Sequence, residues 1–221
     1  MKKDTIQRDL VGGFMKKSKK GSNNIAFISK LVVIVLAIAA FALSFAPFVK
    51  QTTWATGNIV TDYSLSGFVQ GFGATSALKA GESAPEWAYF LKSLPSASID
   101  GTITYTIASN IGMMITLILF IVGFGLGLIS LLFKGKKNGK IGACVLSLAG
   151  LCLIAGGIMC FIAPIFGGFE SSLVGIDTTI AGNSMKTGVE YSLGIGAIIS
   201  AIASILGGVV GLGSSLFSLK K

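Results

Sequence analysis

Few residues in this chain are of a type that does chemistry, and their spacing argues against it. Cys144, Cys152 and Cys160 recur every eight positions inside one apolar run, so they form neither a loop disulfide framework nor the closely spaced pairs that hold zinc. The 221 residues include no histidine, which removes the commonest general base and metal ligand. Ser, Asp and Lys occur in the polar stretches, but at no spacing that sets a nucleophile against a base. Gly71-Phe-Gly73 and Gly123-Phe-Gly125 are lone fragments of phosphate-loop patterns without the strand-to-helix setting such a loop needs. The expectation is a non-enzymatic chain with no catalytic, cofactor-binding or metal-binding residues.

Two other patterns are suited to contact. Small residues recur at fourth positions within the apolar runs: Gly123 and Gly127; Cys152, Gly156 and Cys160; Gly196, Ser200, Ser204 and Gly208; and, on a neighbouring row, Ala203, Gly207, Gly211 and Ser215. Such rows let helix backbones approach closely in a membrane, either inside one bundle or along the seam of a homo-oligomer. The second pattern is aromatic. Trp54, Phe68, Phe72, Trp87 and Phe90 are expected on the outer surface, as a binding face or as anchors at the headgroup level.

The elements that must position these residues follow from composition and charge. The chain is 52% hydrophobic and 12% charged, about half the charge of a soluble domain, and its mean hydropathy is +0.80. Its net charge of +9 is segregated along the chain. Seven basic residues precede residue 21, four lie at 134–140 and two end the chain, against only Asp4 and Asp9, whereas 50–106 and 167–190 together hold four lysines and seven acids. That distribution is topological and excludes a nucleic-acid partner as its explanation.

Four apolar segments reach the roughly 20 residues needed to cross a bilayer: 25–49, 107–133, 141–166 and 191–217. By the positive-inside rule the basic segment 1–24, the turn 134–140 and the tail 218–221 are cytoplasmic, and the loops 50–106 and 167–190 lie outside. The expected fold is an all-α transmembrane four-helix bundle with a small extracellular β-containing loop domain, in the plasma membrane, with both termini cytoplasmic. Ser44 and Ala46 also imitate a signal-peptide cleavage site, against which stand the long polar leader and Pro47. Within that leader Ile6, Leu10, Phe14 and Met15 have a helical spacing suited to an anionic leaflet, beside the plainer reading of a solvated basic tail.

Inside the loops, Gly101-Thr-Ile-Thr-Tyr-Thr-Ile107 alternates as a half-buried strand does, and 58–65 reads as a weaker strand. Ser83-Ala-Pro-Glu86 is a capping box, and Trp87, Phe90, Leu91 and Leu94 continue it as an amphipathic helix over 84–94, stopped by Pro95. Ser171–Ile180 and Ser184–Tyr191 flank a turn at Ala181-Gly-Asn183. A sheet drawing strands from both loops is expected, because a lone hairpin is marginal in water.

Four spans, inside termini, a long first outer loop feeding a strand into span two, a short inner turn and a shorter second outer loop resemble the claudin and peripheral-myelin-type tetraspan plan. Trp54 falls shortly after span one, where that family keeps a tryptophan, and Ser66-Gly67-Phe68 stands where it has Gly-Leu-Trp. The resemblance covers the layout of most of the chain and implies an extracellular sheet above the bundle. The loops contain no cysteine, so the family's loop disulfide and its barrier function are not carried over. A ratio of 17 lysines to one arginine and the lack of an Asn-x-Ser/Thr acceptor in the loops fit a bacterial plasma membrane.

The functional expectation is a structural, assembly or interaction protein of the cell envelope. Its partners would be the lipid bilayer and either a second copy or another membrane protein. Transport usually needs ionisable residues at membrane depth. Here Lys30 begins the first span, while Glu190 and Asn110 lie at outer ends. A small transporter or channel subunit remains the alternative, on account of the glycine-rich spans with Pro47 and Pro164 near their ends.

Overall fold

The computed structural model describes residues 26–55, 58–79, 81–90, 96–98, 101–133, 139–166, 168–169, 172–180 and 183–219. The expected cytoplasmic segment 1–24, most of the 134–140 turn, the last two residues and the end of the 84–94 helix lie outside them.

Helix α1 (Ala26–Phe45) contains neither Gly nor Pro. Its last turn tightens to 3-10 geometry over Leu43–Phe45, where the Ser44 hydroxyl donates to the Phe41 carbonyl at 2.6 Å. Pro47 then ends it, because the proline ring forces the preceding residue out of the helical region, and Ala46 sits at φ −77°, ψ 170°. Strand β1 (Pro47–Ala55) follows at once. The first span therefore stops four residues short of the expected 49, and Phe48 and Val49 belong to a strand.

Strand β1 lies between β2 (Asn58–Ser66) and β7 (Asn183–Leu193), and β7 pairs in turn with β6 (Ser172–Ile180), giving a four-stranded antiparallel sheet of order β2-β1-β7-β6. Val49 is opposite both Leu65 and Leu193, and Gln51 is opposite both Tyr63 and Tyr191. Segments either side of three of the long helices thus share one sheet, as the marginal stability of isolated hairpins requires. The alternating strand before the second long helix, β5 (Ile103–Ile107), joins β3 (Ala74–Leu78) and β4 (Ser96–Ala97) in a separate sheet of order β3-β5-β4. Over the expected 84–94 helix, the described residues form only a short 3-10 turn, Glu86–Phe90.

Between β2 and β3 sits a short helix, α2 (Gly67–Phe72), capped by Ser66, whose hydroxyl accepts from the Val69 N–H. Its Gly67 and Gly71 are buried. A Cβ on Gly67 would stand 2.8 Å from Phe48, and one on Gly71 2.8 Å from Leu117. The paired Gly-Phe steps thus place a smooth face against the bundle and Phe68 and Phe72 on another face.

The remaining long helices are α3 (Ile111–Leu132), α4 (Gly139–Phe161) and α6 (Ile195–Leu219), with a short α5 (Ala163–Phe166) after α4. All four long helices have the length and apolarity to cross a membrane. Three of the expected span bounds shift accordingly. The second span gives up 107–110, where Asn110 caps α3 by accepting from Met113 N–H at 3.2 Å. The third breaks after Phe161, and the fourth gives up Tyr191, Ser192 and Leu193 to β7.

Each long helix packs antiparallel on two others, closing a ring in the order α1-α3-α4-α6. Gly127 faces Ile34, Gly123 faces Leu153, Gly150 and Gly208 meet backbone to backbone, and Gly207 faces Leu36. At one end of the ring Lys30 Nζ donates to the Ser130 and Phe133 carbonyls at the end of α3, where a cation complements the helix dipole. Large side chains such as Val35, Ile38, Ile118, Ile121, Leu148, Ile158, Ile202 and Val209 point away from the ring and are exposed. Contiguous exposed apolar surface on this scale is the pattern of a lipid-facing bundle.

The α4–α6 contact is the tightest of the ring, and it can be tested by volume. Gly208→Leu is expected to lose about 1–3 kcal/mol by overpacking. Gly125→Ala and Gly213→Ala, where a Cβ meets nothing within 4 Å, should be neutral or gain up to about 1 kcal/mol of helix propensity. Thermal unfolding in mild detergent separates the cases; an unchanged midpoint for Gly208→Leu would refute the contact.

Candidate functional site

The small residues of the expected packing seam meet neighbouring helices of the same chain. Gly123 and Gly156 accommodate Leu153 and Phe120, Gly127 accommodates Ile34, Gly207 accommodates Leu36 and Leu153, and Gly208 and Gly211 lie on the Gly150 and Leu146 carbonyls. Gly196 sits against the Leu43 and Pro47 carbonyls. The Ser200 hydroxyl crosses to the Ala40 carbonyl at 3.0 Å, while Ser204 bonds back to Ser200 at 2.7 Å. Cys160 is buried, Cys152 half-buried and Cys144 exposed. The sequence rows omitted Gly150 and Gly157, which bring α4 against α6. They stand seven residues apart, a helical repeat of two turns that lies outside the fourth-position rows.

The five aromatics expected on one face separate into distinct settings. Phe68 and Phe72 join a ladder with the last turns of α1: Phe41 meets Phe45 edge-on at 5.8 Å, Phe45 stacks on Phe68 at 4.8 Å, and Phe68 meets Phe72 at 4.9 Å. Phe45 and Phe72 are exposed. Trp54 is half-buried in the four-stranded sheet, and its indole N–H donates to Glu190 Oε2 at 3.0 Å. Phe90 contradicts the expectation, for it is 3% exposed and packs with Val49 and Leu65. Its ring stands edge-on to Phe169 at 5.7 Å and tilted to Tyr191 at 6.3 Å. With the expected helix reduced to a 3-10 turn, Phe90 folds inward as the plug of the sheet's apolar face. That face also carries Tyr63 stacked on Tyr89 at 3.9 Å and 7°.

Trp87, the fifth aromatic, lines a half-open cleft of about 220 Å³ with Glu86, Phe45, Pro47, Ser64, Ser66 and Val69. Five elements contribute: the last residue of α1, the start of β1, the end of β2, α2 and the 3-10 turn. The cleft therefore exists only because Pro47 turns the chain there. Its lining is amphipathic, with one carboxylate and two hydroxyls among apolar groups, and Phe45 belongs to both the cleft and the aromatic ladder.

Two buried amide oxygens, Gln51 Oε1 and Gln70 Oε1, have no hydrogen-bond partner among the described residues. Gln70 is 2% exposed; its side-chain amide nitrogen donates to the Ala163 carbonyl at 2.6 Å and its backbone carbonyl accepts from Asn110 N–H at 3.0 Å. It therefore pins α2 to α3 and α5. Among the described residues no group of three or more His, Cys, Asp or Glu side chains is placed to hold a metal ion. No protein-family model matches the chain, and no curated protein matches it at a significant level.

Burial raises the Tyr63 phenol above its ordinary 10.0, with a hydrogen bond to Tyr89 and the nearby Glu86 carboxylate adding to the effect. Burial raises Tyr191 as well. A raised folded value means stability that is complete below the unfolded value near 10.0 and is lost as pH rises through the folded one. Tyrosinate absorbance is expected to develop partly above pH 10, and Tyr63→Phe should remove some of that late fraction. Loss of an early-titrating fraction in that variant would contradict the stacked pair.

Proposed function

We propose that this chain is a non-enzymatic four-span protein of the plasma membrane, with both termini cytoplasmic, whose outer sheet domain is a rigid platform for another envelope component. The observation that carries this reading is how the bundle spends its polar groups. The hydroxyls of Thr116, Ser130, Ser204 and Ser215 each donate to a carbonyl of their own helix, and Ser200 bridges to α1. These groups stabilise packing and leave no row of them to line a hydrophilic path, in keeping with the lack of ionisable residues at membrane depth. The glycine seam likewise serves the fold, so the surface left for recognition is the sheet domain.

The sheet domain suits that role. It presents a polar ladder on one face, with Lys50 bonded to Asp62 at 2.8 Å and Trp54 to Glu190. Its edge strand β2 carries exposed Ile59 and Val60, and such edges are natural docking places. The tetraspan-like layout supports the orientation, since all three basic segments, 1–24, 134–140 and 218–221, then fall on one side.

Single cysteines replacing Ile59 or Lys140 in a Cys-free background test the topology. Ile59→Cys is expected to react with a membrane-impermeant maleimide in intact cells and Lys140→Cys only after lysis; the reverse pattern would overturn the orientation. A photo-crosslinking residue at 59 or 60 should then trap a discrete adduct. Solute flux through liposomes of the purified protein, with no adduct in cells, would favour the transporter alternative.

A further inference from the structure

We infer that the cleft at the α1–β1 turn binds the head of an amine-bearing phospholipid, with the acyl chains lying along the Phe45–Phe68–Phe72 ladder. This rests on the proposed insertion of the four helices, which puts the end of α1 at the outer membrane surface. Three independent features converge there. The cleft begins where the span ends, being lined by Phe45 and Pro47. The ladder leads from it across the last residue of α1 onto α2, with Phe45 56% and Phe72 46% exposed, as aromatic side chains at a bilayer surface are. And at about 220 Å³ the cleft is smaller than the ~300 Å³ where pockets for whole drug-sized ligands begin. It takes a headgroup and leaves the chains outside.

The lining selects the headgroup's charge. Glu86 is the one charged residue of the cleft wall and Trp87 is beside it, a pairing that attracts a cation through both the carboxylate and the indole face. A primary ammonium can donate hydrogen bonds to Glu86, which a quaternary one cannot. Ser64 and Ser66 supply hydroxyls; the Ser66 oxygen accepts from Val69 N–H, so its own proton is available to a phosphodiester oxygen. An anionic headgroup lacking an amine would meet Glu86 with like charge.

The chain has two tryptophans, so Trp54→Phe leaves Trp87 as the only indole and as a reporter inside the cleft. Detergent-purified protein carrying that change is titrated with dihexanoyl phosphatidylethanolamine, phosphatidylcholine and phosphatidylglycerol below their micellar concentrations. A saturable change in Trp87 fluorescence with the ethanolamine lipid, at least fivefold tighter than with the other two, is expected. Glu86→Gln should weaken it tenfold or more, Glu86→Lys should turn the preference to the glycerol lipid, and Glu82→Gln, outside the cleft, should change nothing. Equal responses to all three lipids, or tight ethanolamine binding that survives Glu86→Gln, would overturn the assignment. Recovery of the protein in carbonate-washed membranes tests insertion separately, so a failed titration of inserted protein counts against the lipid site alone.

Discussion

Two adjacent side chains hold the molecule together. Phe48 and Val49 follow Pro47 on β1, and because strand side chains alternate they point to opposite faces. Phe48 enters the helical core with Met113, Leu117 and Phe120, while Val49 enters the sheet core with Leu65 and Phe90. Both are fully buried, so the sheet cannot swing relative to the bundle without opening one core or the other. The joint is closed from the other side by the start of α6. The Gly194 N–H donates to the Phe48 carbonyl at 2.8 Å, and any Cβ at Gly194 would collide with the Pro47 backbone.

The same constraint explains why two segments far apart in sequence share a sheet. β1 leaves α1 and β7 enters α6, and the two helices are antiparallel neighbours, linked by Ser200 and Ala40. Their ends are therefore adjacent, and strands grown from them meet in register from Val49–Leu193 to Trp54–Gly188. Each of these central strands then pairs outward with its own hairpin partner. The bundle sets the sheet's position, because each middle strand is tethered to a helix through a single intervening residue, Ala46 for β1 and Gly194 for β7.

Hydropathy made the four long helices legible, since their length and apolarity are local properties. Their ends were less so. An apolar run does not distinguish a helix from a buried strand by composition, and Phe48, Val49 and Leu193 are apolar because they are core residues of strands. Pro47, weighed in the sequence against a cleavage site and for the transporter alternative, is the residue that ends the first helix and opens β1. β5 showed its alternation, β2 was a weaker strand signal and the second-loop strands showed as segments flanking a turn, whereas β3, Ala-Thr-Ser-Ala-Leu, has too few large side chains to show an alternation. Phe90 shows a different limit: Trp87 and Phe90, three residues apart, fit an α-helical spacing and equally a single 3-10 turn. The seam glycines were legible as small residues but not as partners, because a spacing rule names a face and only the fold says what lies against it.

The cleft was beyond sequence for the same reason. Its lining comes from residues 45 to 87, and nothing local links Phe45 to Trp87. What brings them together is the geometry of the joint: Pro47 ends α1 and opens β1, β2 returns antiparallel to place Ser66 opposite Pro47, and α2 lays its glycine face on Phe48 and Leu117. That last contact sets Phe68 against Phe45. A larger residue at Gly67 or Gly71 would lift α2 off the bundle, part the two rings and open the cleft floor at Val69. The amphipathic wall thus depends on packing one layer beneath it, where the side chains are apolar and the chemistry is only one of fit.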